Sequence, residues 1–260
     1  MKRIKEVQEV LRGFGSAEKA AVLQGFFKTG PGEYGEGDIF IGVKVPEIRS
    51  LVKNYCLTKE QIPLILLHSK IHEERLFALM VMVSVYAKAT DEKKRKIYEL
   101  NLKNTEHINN WDLVDLSAPQ IVGAHLFQLI PRQEIKDEKR RKVPGILNTL
   151  AASSNLWERR IAIISTLYFI KNTPNTNIYN RKESAPLEIT YILCEKLLND
   201  KEDLIHKACG WMLREAGKKD RKRLEVFLTK NYNKIPRTML RYSIERFPEE
   251  LRKKYLHMGK

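Results

Sequence analysis

Apolar residues recur at three- and four-residue intervals along almost the whole chain, and that rhythm excludes most folds. It is carried by the segments 20–27, 46–55, 60–68, 74–86, 91–100, 119–129, 157–169, 187–198, 204–213 and 224–232. A helix gathers such positions onto one stripe, whereas a half-buried strand alternates apolar and polar residues, and no convincing alternating stretch occurs. Helix-start signals agree. Asn155 is followed three residues on by Glu158 and Asp200 by Asp203, and Pro186, Pro236 and Pro248 stand where a first helical turn accepts proline. The chain therefore reads as all-α, with roughly a dozen helices of ordinary length.

Four of these helices share a second pattern, a polar residue three positions before a small one: Arg75 with Ala78, Asp115 with Ala118, Arg159 with Ala162, and Lys207 with Gly210. The polar members are 40, 44 and 48 residues apart, with a weaker fifth member at Arg237 and Leu240. A period in the forties is the mark of HEAT or armadillo-like helix repeats, whose units bury their faces by stacking. We therefore expect an α-α superhelix, a single repeat domain over 1–260, with Arg75, Trp111/Asp115, Arg159/Arg160, Lys207/Trp211 and Arg241 on the inner helices facing a concave groove.

Charge narrows the partner. The 260 residues hold 47 Lys and Arg against 32 Asp and Glu, a formal charge of +15, and residues 181–260 alone hold 20 and 12. Such a field favours phosphate-rich partners. The basic residues are spread through helices and form no polybasic tail beside an anchor, which favours nucleic acid over a membrane surface. No run approaches the ~20 apolar residues of a membrane span, and the basic start Met1 to Glu6 is followed by no apolar signal region. Cys56, Cys194 and Cys209 are too scattered for a staple or metal site and suggest buried thiols. A cytoplasmic monomer is expected.

Against this basic background, Asn109-Asn110-Trp111-Asp112-Leu113-Val114-Asp115-Leu116-Ser117-Ala118-Pro119 is an acidic island, with no Lys or Arg between Lys103 and Arg132. On a helix Trp111 and Asp115 lie at i and i+4, an indole and a carboxylate on one face, with Asp112 about a quarter turn away. The plainer alternative is a helix start, with Asn109 or Asn110 as N-cap, Asp112 facing the dipole, Trp111 as packing and Pro119 opening the next helix.

Other features carry less. The loop 29–38 has four glycines, a proline and three acids; it lacks the Lys-Ser/Thr of a phosphate cradle and reads as an irregular, mobile loop at a groove mouth. The connection 171–186 has loop composition, with Tyr179 and Arg181 as candidate contacts. His68 and His72 have zinc-helix spacing but no third ligand, so no metal and no cofactor are expected. The runs 139–142 and 218–223 suit solvated helix ends and phosphate contacts equally. Trp157 and Trp211 would ordinarily be core, and Lys207 beside Trp211 favours a groove position for the latter.

Several blocks carry a resemblance. Asn110-Trp111-Asp112-Leu113-Val114-Asp115, Leu156-Trp157-Glu158-Arg159-Arg160-Ile161-Ala162 and Lys207-Ala208-Cys209-Gly210-Trp211-Met212-Leu213-Arg214-Glu215 look like blocks of the HEAT-like DNA alkylation repair family, the AlkD-type DNA glycosylases. Ile41-Gly42-Val43-Lys44-Val45-Pro46-Glu47-Ile48-Arg49 is similar to its early block, and order and rough spacing hold from about Ala20 to Arg214. The resemblance implies a C-shaped α-solenoid that grips double-stranded DNA, alkylated or distorted, and releases cationic alkylpurines such as 3-methyladenine and 7-methylguanine in base excision repair. It implies a catalytic carboxylate at Asp115, sugar-facing indoles at Trp111 and Trp211, a phosphate contact at Arg160 and an N-terminal aromatic contact at Phe27, where the family would have tyrosine. Arg159, Lys207 and Arg241 join the DNA-binding set through their charge and repeat position. The glycine-rich loop is longer than in the simplest members, and the apolar groove contacts before Trp211 fall on Asp203 and Leu204. Some relatives bind branched DNA without demonstrated glycosylase activity, so a non-catalytic binder of damaged or branched DNA is the alternative, and a protein-binding scaffold a distant third that the charge disfavours.

Overall fold

A computed structural model describes residues 2–55, 61–130, 143–174 and 185–257. Among the described residues the chain is all-α: sixteen α-helices and no strand, with one isolated parallel bridge between Ile39 and Ile71. It divides into two compact units, Met1–Ile121 and Val122–Lys260. No helix among the described residues is long and apolar enough to cross a membrane.

The first unit holds α1 (Lys2–Gly13), α2 (Ala17–Phe26), α3 (Val45–Tyr55), α4 (Gln61–Leu67), α5 (His72–Lys88), α6 (Asp91–Lys103), a 3-10 turn (Thr105–His107) and α7 (Trp111–Ser117). The hub is α5, against which α1, α3, α4, α6 and α7 all pack. Phe77, Ala78 and Leu79 of α5 and Leu113 and Val114 of α7 have no exposed surface. Burying a large apolar side chain of this kind is worth about 1.5–3 kcal/mol.

The first turn of α5 is unusual because His72, Glu73, Glu74 and Arg75 are all buried. Each has partners to offset the loss of water. The Glu73 carboxylate accepts from the backbone N–H groups of Ile41, Gly42 and Val43 at 2.8 to 3.2 Å. Gly42 is required there: its φ is +80°, and a Cβ would run into the Ser16 carbonyl. Glu74 accepts from Gln8 Nε2 at 2.9 Å, and Arg75 Nη1 donates to the Ser69 carbonyl at 2.9 Å. This turn therefore pins α1 and the segment 38–43.

The glycine-rich loop, expected to be irregular, is a set of turns closed by its own acids. Glu33 accepts from the Gly30 N–H and Glu36 from the Gly32 N–H, each at 2.9 Å. The Gly35 N–H donates to the Lys28 carbonyl at 2.9 Å, and a Cβ on Gly35 would strike the Phe27 carbonyl. The loop delivers Asp38, 6% exposed, into the fold.

After α7 the chain continues as a π-helix over Ala118–Gly123. Pro119, expected to open a new helix, is the second residue of this π-helix.

The second unit holds α8 (Ala124–Leu129), α9 (Gly145–Ala151), α10 (Leu156–Ile164), α11 (Thr166–Asn172), α12 (Ala185–Lys196), α13 (Asp203–Lys219), α14 (Arg221–Asn231), α15 (Arg237–Ser243) and α16 (Glu249–His257). Its hub is α13, packed against α10, α11, α12, α14 and α15. A Cβ on Gly210 would stand 2.5 Å from Tyr242 Cβ and 2.7 Å from the Met239 carbonyl, so α13 and α15 cross almost backbone to backbone. The other small members of the repeat, Ala78, Ala118 and Ala162, are buried too. The predicted helix over 157–169 is two helices broken at Ser165, whose Oγ bonds back to the Ile161 carbonyl at 2.6 Å.

Asn155 caps α10 as predicted, accepting from the Trp157 N–H at 2.8 Å. Asp200 does not cap α13; the N-cap is Glu202, and Asp200 is turned to Arg159. Cys194 and Cys209 are buried free thiols. Cys56, the run 139–142, and Tyr179 and Arg181 lie outside the described residues.

Candidate functional site

Asn110 starts α7, its side chain accepting from the Trp111 N–H at 2.8 Å. A helix of seven residues has little stability of its own, so what surrounds it fixes its direction. Trp111 and Asp115 stand one turn apart on one face, both half-buried. The capping role proposed for Asn110 and the juxtaposition of indole and carboxylate therefore hold together.

A column of rings backs the indole. Phe27 lies face to face with Trp111, centroids 5.1 Å apart and planes 11° from parallel, and stacks in turn on Phe40 at 4.9 Å. Phe26 meets Trp111 edge-on at 5.9 Å. Phe27, expected as an aromatic contact to DNA, is 7% exposed and supports Trp111 from within; the ring that faces solvent is Phe26, at 61%.

Beneath the column runs a buried charge network. His72 places Nδ1 2.9 Å from Asp38 Oδ2 and Nε2 2.8 Å from Asp112 Oδ2. Asp38 also accepts from Arg75 Nη2 at 2.5 Å and Asn110 Nδ2 at 3.3 Å. Burial pushes the Asp38 carboxyl up, but its bonds to His72 and the Arg75 charge outweigh that and hold its pKa below the ordinary value. Burial likewise disfavours a charged His72, and the Asp112 bond and charge, followed by the Asp38 bond, outweigh it and raise its pKa. His68 goes elsewhere, with Nε2 2.6 Å from Asn104 Oδ1 and its ring 4.2 Å from that of His107, so the two histidines do not converge. Among the described residues no cluster of side chains suits a metal ion.

In the second unit the expected DNA-binding cations differ in what they can reach. Arg159 is turned into the fold: Nε and Nη2 bond Asp200 at 2.6 and 3.1 Å, and Nη1 bonds the Ser153 and Ser154 carbonyls at 3.1 and 2.9 Å. This repeats Arg75, which also reaches back six residues to a serine carbonyl, so both arginines tie loops and do not line a groove. Arg160 is 5% exposed and donates to the Leu204 carbonyl at 2.7 Å. Lys207 pairs with Asp203 at 2.8 Å yet leaves its side chain 42% exposed, and Arg241 is exposed on α15. Trp211 is half-buried on α13, one turn after Lys207, while Trp157 is core.

Sequence offered His72 only as a metal-ligand candidate, Asp38 only as a loop acid and Asp112 only as a helix-start residue, and their shared network was not foreseen. A charged tetrad opening an apolar helix looks like an ordinary solvated first turn. The available signal was Arg75, which stands three positions before Ala78, the small residue of the sequence pattern.

The family model described as DNA alkylation repair enzyme matches residues 7–247. No curated protein matches the chain. Among solved structures, the chain is similar to one described as a predicted DNA alkylation repair enzyme from Enterococcus faecalis, at 16% identity and a TM-score of 0.64, over 90% of this chain and 97% of that one. At that identity the likeness speaks for the fold.

Proposed function

We propose, since the chain belongs to the DNA alkylation repair enzyme family, that it is a DNA glycosylase that hydrolyses cationic alkylpurines such as 3-methyladenine and 7-methylguanine from duplex DNA, acting as a monomer with HEAT-like repeats. The observation that carries this reading is the shared face of Trp111 and Asp115, with the indole held by Phe27.

The chemistry asks for little more. A purine alkylated at N3 or N7 leaves as a neutral base, taking the electrons of the glycosidic bond, and so needs no general acid. The sugar left behind is oxocarbenium-like. A carboxylate at Asp115 opposes that positive charge and can orient the water that adds to C1′, and the electron-rich face of Trp111 adds cation–π attraction. Trp211, half-buried on α13, is kept as a sugar-facing indole only as an expectation from the resemblance. The exposed Lys207 and Arg241 suit phosphate contacts, which would make affinity strongly salt-dependent. Arg160 is kept in the binding set as an expectation from the resemblance, although its burial favours a structural part.

The test is release of free methylated base from methylated duplex DNA by the purified protein, with none from unmodified duplex. Salt-dependent binding without any release would identify a non-catalytic binder instead.

A further inference from the structure

We infer that His72, held as an imidazolium between Asp38 and Asp112, is the positioning residue for the Trp111 and Asp115 face of α7, so that the site is in order only while this ring is charged. This rests on the proposed glycosylase function for its kinetic consequence and on geometry alone for the rest.

Both ring nitrogens of His72 face carboxylate oxygens, at 2.9 and 2.8 Å. A neutral imidazole has one donor and one acceptor, and ionised carboxylates only accept, so only the imidazolium satisfies both contacts. The groups facing the ring are Asp38 from the segment after α2, Asp112 from α7 and Arg75 from its own helix. With His72 charged, two cations balance two anions; with it neutral, a buried negative charge is left over. The raised pKa of His72 has the same sense.

Asp112 lies between Trp111 and Asp115 in a helix too short to hold itself, and its Oδ1 is buried without a hydrogen-bond partner among the described residues. The bond from His72 to Oδ2 is thus the hold on that carboxylate, and through it on the first turn of α7. The ring also stacks on Phe40 at 4.4 Å and lies 5.1 Å from Phe27, the ring behind Trp111. His72 therefore reaches α7 by two routes, a charged bond and a column of rings.

The experiment follows the ring nitrogens of His72 and the indole N–H of Trp111 by nitrogen NMR as pH is raised, alongside single-turnover base release. Both nitrogens should carry protons at neutral pH, and the Trp111 signal should move with the His72 midpoint. Release by the parent should fall through the same midpoint while DNA binding stays level. His72→Gln, which keeps a donor but loses ring and charge, should release base about tenfold to a hundredfold more slowly, the scale seen when the partner that orients a metal-ligating side chain is removed. His72→Phe, which keeps the ring, should abolish the pH-dependent movement of the Trp111 signal. A neutral ring at pH 7, or a Trp111 signal indifferent to the His72 titration, overturns the inference, and both are read on the parent protein whether or not the variants fold. A parent that releases no base at any pH would instead remove the glycosylase reading, leaving the NMR result to decide the part played by His72.

Discussion

The Phe27 ring lies parallel to the Trp111 indole at 5.1 Å, so a core side chain sets the plane of a residue on the candidate site. Phe27→Ala removes both that backing and a large buried ring. We expect a loss of about 3–5 kcal/mol of stability, as for other buried Phe to Ala changes. Urea denaturation measures it, and near-ultraviolet circular dichroism should lose the signal of the ordered indole. An unchanged spectrum would mean that Trp111 is fixed by α7 alone.

The buried network predicts a two-sided pH profile. The Asp38 pKa is lowered, so its contribution is complete above the ordinary value of 3.8 and is lost as pH falls through the lowered one. The His72 pKa is raised, so its contribution is complete below 6.5 and is lost as pH rises through the raised value. The melting temperature should therefore be highest between these limits and fall on both sides. In Asp38→Asn the acid limb should shrink, and the alkaline limb, which still starts at the ordinary histidine value, should be smaller and end at lower pH, since His72 has lost one anion. An alkaline limb that ends in the same place would show that Asp112 alone sets the His72 titration.

Arginines and lysine at neighbouring repeat positions should fail in different ways. Arg159→Ala strands the buried Asp200 carboxylate and should cost about 3–5 kcal/mol, the usual penalty for breaking a buried pair, with the salt slope of DNA binding unchanged. Lys207→Ala and Arg241→Ala should leave stability within about 0.5 kcal/mol. Each should lower the salt slope by about one. Urea denaturation and a salt titration of binding separate the cases; a reduced slope in Arg159→Ala would put that residue on the phosphates after all.

The elements legible in the sequence are those whose signal is local. Apolar spacing located α3, α5, α6, α12 and α14 to within a few residues, and Asn155 marked the start of α10 through its own side chain. The small residues of the sequence pattern, Ala78, Ala118, Ala162 and Gly210, are all buried, and at Gly210 the backbone of α15 approaches closely. What was not legible depends on partners far along the chain. Nothing near Arg159 announces Asp200, and nothing near His72 announces Asp38 and Asp112, so cations that look like groove residues by spacing become internal ties. That Trp111 and Asp115 share one face of α7 was legible because one helical turn joins them. Phe27 was found for the wrong surface: an aromatic was identified, but sequence could not tell the ring that backs Trp111 from Phe26 beside it, which faces solvent.

In the proposed mechanism the carboxylate of Asp115 opposes positive charge on the sugar. Asp115→Asn keeps the side chain's shape and removes its charge, and base release from methylated duplex DNA should fall about a hundredfold or more, the scale of losing one preorganised electrostatic contact. Binding to the same DNA should hold or tighten, since an anion near phosphate has gone. The most direct measurement is the single-turnover rate of free methylated base release by parent and Asp115→Asn at saturating protein. We predict a measurable parent rate and a variant slower by about two orders of magnitude with its helix content intact; equal rates in the two proteins would contradict the mechanism.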